Sequence, residues 1–241
     1  MGWLALANTW PLAAVFLVSF IICLRSYLKT HHVITLHFMI AFGSFILTYA
    51  IWGIRALVLP ESIDPMNADQ MYWYWILVYF TASLAIYNMD MATISFLKGM
   101  HNKALVMAIK VVLTLTFASC AYILLLTPVN LDLLTLSGIS DFNFADLWLK
   151  YYLFVVLGIF ILIPNGIFYY YIRISDKSSP ARKKVKILMI GFLVMSLGLS
   201  MDALRLESDL LMFIFRMVVL AGGIVVLIAL FYKVKAADNI K

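Results

Sequence analysis

Seven stretches of this chain are long and apolar enough to cross a lipid bilayer, and only short polar joints separate them. They cover roughly residues 3–27, 33–59, 71–98, 103–126, 147–173, 184–206 and 208–233. A helix rises about 1.5 Å per residue, so about 20 apolar residues match the hydrocarbon thickness of a membrane. In lipid the backbone must satisfy its own hydrogen bonds, and continuous apolar segments of this length do so as helices. Only 12% of the residues are charged; soluble domains carry about a quarter. The expected fold is therefore an all-α membrane protein. A single domain over residues 1–241 forms a bundle of seven transmembrane helices.

The joints alternate in charge. Arg25 and Lys29, Lys98 and Lys103, the run Arg173, Lys177, Arg182, Lys183, Lys184 and Lys186, and the tail lysines Lys233, Lys235 and Lys241 fall on one side. Glu61, Asp64, Asp69, Asp132, Asp141, Asp146, Asp202, Glu207 and Asp209 fall on the other. Basic joints face the cytoplasm, so the N-terminus is expected outside and the C-terminus inside the cell (plasma or inner) membrane. The net charge of +6 is sorted by membrane side, which argues against a nucleic-acid partner. The start, MGWLALANTWPLAAVF, has no basic residues before its apolar run. It reads as a first spanning helix and not as a cleaved signal. All six tryptophans (3, 10, 52, 73, 75 and 148) fall on the expected outer side, as an interfacial aromatic belt would.

The sixth and seventh segments, joined through MSLGLSMDALRLESDLLMFIFRMVVLAGG (195–223), carry the most informative pattern. Gly191, Gly198, Asp202, Arg205 and Asp209 recur at helical spacing and share one face. Arg216 follows about two turns into segment 7. Charge at that depth is expensive and faces a bundle interior or a wet cavity. Arg55, Lys150, Trp52 and Trp73 lie at related heights. Arginine suits planar anions, so these residues outline an outward-facing ligand pocket of Arg55, Arg216, Asp202, Arg205, Lys150, Trp52 and Trp73, for a small anionic or aromatic ligand. The alternative is a self-satisfied ion cluster. Close packing of the two helices is expected through Gly191, Ser196, Gly198, Ser200, Gly222 and Gly223, because small residues let backbones approach.

Asp90 and Lys110 lie at equal distance from the turn between segments 3 and 4. They are expected to pair as an intramembrane ion pair, with proton or sodium carrying by Asp90, near Asn88, as the functional alternative. The histidines (31, 32, 37 and 101) do not face one another in the pairs a membrane haem requires. Cys23 and Cys120 fall at different depths, which disfavours a disulfide. No activated nucleophile, paired acids or metal-ligand spacing emerges. No cofactor, no metal and no enzymatic activity are expected. The joint 127–146 is too apolar for a free loop and should lie at the interface or over the outer mouth. The basic run over 174–186 and the C-terminal tail can meet anionic headgroups or a cytoplasmic or membrane protein partner. Pro164-Asn165-Gly166 should kink or break segment 5.

Segment 2 (HFMIAFGSFILTYAIWG) is somewhat similar to that of microbial rhodopsins. Segment 7, however, has Ala221 and Gly222 near the place of the retinal lysine, which excludes that chemistry. The chain also resembles the seven-helix sensor modules that precede some prokaryotic kinases. The likeness lies in Arg55 after an aromatic-rich segment 2 and in a Gly-rich segment 6 ending in an acid. It implies a receptor whose output, with only a short tail after segment 7, passes through a partner. A small solute or ion transporter or channel, and a structural subunit of a larger membrane complex, are the other readings the sequence supports.

Overall fold

Every apolar segment is a helix in the computed structural model, which describes residues 3–58, 68–97, 103–126, 129–130, 143–144, 147–203 and 209–232. The helices are α1 (Trp3–Thr30), α2 (Val33–Val58), α3 (Ala68–Ile94), α4 (Lys103–Leu126), α5 (Leu147–Ile174), α6 (Pro180–Ala203) and α7 (Asp209–Phe231). A 3₁₀ turn over Ser95–Leu97 extends α3. Six of them contain spans long and apolar enough to cross a membrane: Thr9–Thr30, Val33–Ile54, Lys103–Ile123, Val155–Ile174, Pro180–Asp202 and Phe213–Phe231. The chain is thus a multi-pass membrane protein. α3 is as long, but Tyr79, Tyr87, Asn88 and Asp90 lower its hydropathy and keep it out of that set.

One core cluster joins α1, α2, α3, α5, α6 and α7 around Phe16, Phe42, Phe45, Phe168 and Phe192. Phe16 stacks on Phe45 with centroids 4.7 Å apart, and Phe192 meets Phe38 and Phe168 edge-on. A second cluster joins α3, α4 and α5 around Leu113, Val156 and Phe160. Lipid is as apolar as leucine, so helix association depends on close fit and polar ties and not on hydrophobic expulsion from water.

The closest fit is between α6 and α7. A Cβ added to Gly198 would lie 2.8 Å from the Val219 nitrogen, and one on Gly191 would lie 2.9 Å from the Val226 nitrogen. At Gly222 it would lie 2.5 Å from the Met195 nitrogen and 2.7 Å from its Cα. Ser200, also expected at this contact, is buried and donates to the Ser196 carbonyl at 2.8 Å. Gly223 departs from expectation. It faces Phe16 and Val15 of α1, at an ordinary 3.5 Å, because successive helical residues point about 100° apart.

Polar ties hold the other helices. Between α2 and α3, the Thr48 and Thr81 hydroxyls lie 2.8 Å apart, and His37 Nδ1 lies 3.0 Å from Asn88 Oδ1. α4 is tied to α3 by Ser83–Cys120 at 3.6 Å and by Tyr87–Thr114 at 3.2 Å. The Tyr152 hydroxyl of α5 donates to Ser119 of α4. α4 buries little else: Leu113, Thr116 and Cys120 face inward, while Leu105, Met107, Leu115 and Leu125 face out of the bundle.

The connections refine the sequence reading. The joint 127–146 contains an antiparallel pair, β1 (Val129–Asn130) and β2 (Asn143–Phe144), with Val129 opposite Phe144. Residues 131–142, where a cover over the mouth was expected, lie outside the described residues. α5 continues helically through Pro164 and does not break there. Proline cannot donate to the carbonyl one turn back, and Asn165 Nδ2 donates 2.8 Å to the Ile161 carbonyl beside that gap. The α5–α6 turn is short, since α6 starts at Pro180, a residue preorganised for a first helical position. Arg182, Lys183, Lys184 and Lys186 therefore lie on the first turns of α6 and not in a loop. Within the turn, the Ser178 hydroxyl donates to Asp176 Oδ2 at 2.9 Å and its amide to Oδ1 at 3.3 Å. These two hydrogen bonds, the hydroxyl's first, hold the Asp176 carboxyl below the usual carboxylate range.

Candidate functional site

Arg216 sits seven residues into α7, about 10 Å from the start of the helix, and is 2% exposed. Its Nε donates to Asp202 Oδ1 of α6 at 3.2 Å. The spacing of the sequence puts Asp202 one turn beyond Gly198, so the glycine contact that brings the backbones together also brings the acid to the arginine. The guanidinium carbon lies 5.4 Å from the centre of the Trp52 ring of α2, within cation–π range. Three residues from three helices thus meet inside the bundle, at the end where α2 leads to α3 and α6 to α7.

Beside them is a cavity of about 100 Å³, roomy enough for several waters or a small organic group. Asp202, Arg216 and Trp52 form its polar end. α2 adds Phe45, Thr48 and Tyr49, α3 adds Val78 and Ser83, α5 adds Val156 and Phe160, and Cys120 of α4 closes one side. The wall is mainly apolar, with a few convergent polar groups, which is the usual constitution of a small-molecule site. Because Asp202 lies against Arg216, the two charges cancel locally. That pairing favours a neutral guest with a polar end over a free anion.

The expected pocket residues divide. Arg216, Asp202 and Trp52 come together. Trp73 is on α3 but 61% exposed, so it belongs to the outer surface of the bundle with Trp10. Trp52, by contrast, leaves the expected belt and turns inward, 4% exposed. Arg55 lies in the last turns of α2 and Lys150 in the first turn of α5; both side chains, and all of Arg205, lie outside the described residues. Thr48, Tyr49, Ser83, Cys120 and Phe160 were not anticipated. On α2 the signal existed, since Phe45, Thr48, Tyr49 and Trp52 repeat at helical spacing along one face. Ser83 and Cys120 carried no such signal.

The structure does not bring Asp90 and Lys110 together. Lys110 is on the outward face of α4, while Asp90 is 1% exposed in the interior. A hairpin fixes the relative depth of two residues but not the rotation of each helix, and α4 is turned the other way. His37 is engaged with Asn88, and Cys23 and Cys120 are buried thiols. Among the described residues no group of three His, Cys, Asp or Glu side chains is placed to hold a metal ion.

Fold and site together define a multi-pass helical membrane protein with a small, mainly apolar internal pocket closed at one end by a buried ion pair. No family model, curated protein or solved structure matches the chain, so its function rests on this geometry.

Proposed function

We propose that this protein is a non-enzymatic receptor of the cell membrane. It spans the bilayer seven times with the N-terminus outside, and it binds a small aromatic or amphipathic molecule in the cavity beside Arg216, Asp202 and Trp52. The observation that carries this reading is the coincidence of a buried arginine, its acid and a buried tryptophan ring with a cavity of about 100 Å³. A purely structural ion pair has no need of adjoining space, and close packing would remove it. The ligand's ring occupies the space between Phe45, Val156 and Phe160, and its polar end meets Arg216 or Asp202. Output passes to a protein partner through the basic stretch 174–186 and the C-terminal tail.

Screening small aromatic alcohols, amides and acids against the purified protein is expected to raise its unfolding temperature. A ligand at about 100 times its Kd stabilises by about 2.7 kcal/mol. Filling the space with Ser83→Phe is expected to abolish the shift. A flat screen, or an equal shift in the filled variant, overturns the pocket.

The orientation has its own test. A cysteine introduced by Ser178→Cys is expected to react with a membrane-impermeant maleimide only in inside-out vesicles, and one introduced by Ser62→Cys only in right-side-out vesicles. The opposite labelling overturns the N-out arrangement.

A further inference from the structure

A second cavity, about 20 Å³, lies deeper in the bundle. Ile86, Leu157, Phe160 and Leu199 line both cavities, so the two adjoin. The smaller one is bounded by α3, α5 and α6, and Asp90 is part of its lining. Among the described residues, none hydrogen-bonds to Asp90 Oδ2. Apart from Asp90, the lining consists of aliphatic, aromatic and thioether side chains with one hydroxyl, Ser196. Among the described residues, no other titratable or charged side chain from α3, α5 or α6 lines the space. Among the described residues, the charged groups lining the larger cavity are Asp202 and Arg216, at its polar end.

A buried carboxyl group persists in such a place only with a cation, a hydrogen-bond partner or a proton. Lys110 is turned outward and supplies no counter-charge. A hard metal ion takes six or more oxygen ligands, and the side chains here offer the oxygens of Asp90 and Ser196. The volume suffices for one water molecule, which needs roughly 10–15 Å³.

We propose that Asp90 is an intramembrane proton-binding site, reached by water through the larger cavity. In the binding step a hydronium ion gives its proton to a carboxylate oxygen of Asp90. A new O–H bond forms, and the hydronium O–H breaks to leave water. Release is the reverse, and no electrons are transferred. The site does not depend on which molecule the outer pocket binds.

The test is infrared spectroscopy of the full chain in lipid nanodiscs. The expected result is a neutral-carboxyl C=O band that is lost in Asp90→Asn, shifts on transfer to D₂O, and declines as pH rises. Asp90→Glu keeps the carboxyl and is expected to move the band without abolishing it, which covers the case where the asparagine variant does not fold. Ala82 of α3 lines the larger cavity, and narrowing it with Ala82→Phe is expected to slow the D₂O shift. A wild-type spectrum with no band assignable to residue 90 overturns the proposal. So does a band that neither titrates nor exchanges, or one that sodium removes at constant pH, which would mark a metal-cation site. An unchanged exchange rate in Ala82→Phe overturns the route.

Discussion

Replacing Gly222 by alanine is expected to destabilise the folded bundle by about 3 kcal/mol, the upper end of what overpacking does. The added methyl would stand 2.5 Å from the backbone nitrogen of Met195 and 2.7 Å from its Cα. No rotamer change relieves a clash with backbone, so α6 and α7 must separate along their length. The neighbouring residue is the control. A Cβ at Gly223 meets side chains at 3.5 Å, and one at Gly158 meets nothing within 4 Å. There, alanine should be neutral or stabilising by up to about 1 kcal/mol, through helix propensity alone. Unfolding followed by circular dichroism in micelles separates the cases. If Gly222→Ala is as stable as Gly223→Ala, the two helices are not in backbone contact.

The second large effect concerns charge. Asp202→Asn is expected to lower stability by about 3 kcal/mol, because Arg216 then loses the anion that offsets its burial. Asp202 is 23% exposed against 3% for the arginine side chain, so water relieves part of the loss and the effect falls at the low end for buried pairs. Removing both charges with Asp202→Asn and Arg216→Met should restore most of the stability, since the second substitution deletes the group left uncompensated. The double-mutant cycle reads the coupling directly. Additive losses in the double variant would show that the contact at 3.2 Å contributes little.

How far the sequence reached depended on the kind of question. Helix number and extent followed from apolar length, because lipid allows few backbone solutions; α4 runs from Lys103 to Leu126, as the pattern indicates. Arg216 and Asp202 were legible together, since a charge inside an apolar run advertises itself and Gly198 fixes which faces meet. Rotation about a helix axis was legible only where small residues or charges marked a face. α4 has no such mark, and Lys110 was assigned inward when it points out. Trp52 and Trp73 looked alike as pocket candidates, and only burial beside Arg216 separates Trp52 from the exposed Trp73. Cys120 and Ser83 come together through the tertiary placement of two helices, which no local spacing encodes. The strand pair in 127–146 is two residues on each side, too short for periodicity to register.

The glycine contact has a mechanical corollary. Where backbones touch at Gly191, Gly198 and Gly222, side chains cannot flex to absorb relative sliding, so α6 and α7 behave as one stiff lever. From Asp202 to Pro180 that lever is about 33 Å long. Under the proposed receptor reading, a guest that pushed Arg216 aside would not move α7 alone. It would tilt both helices about the glycine seam, and the far end would carry Arg182 and Lys183 with it.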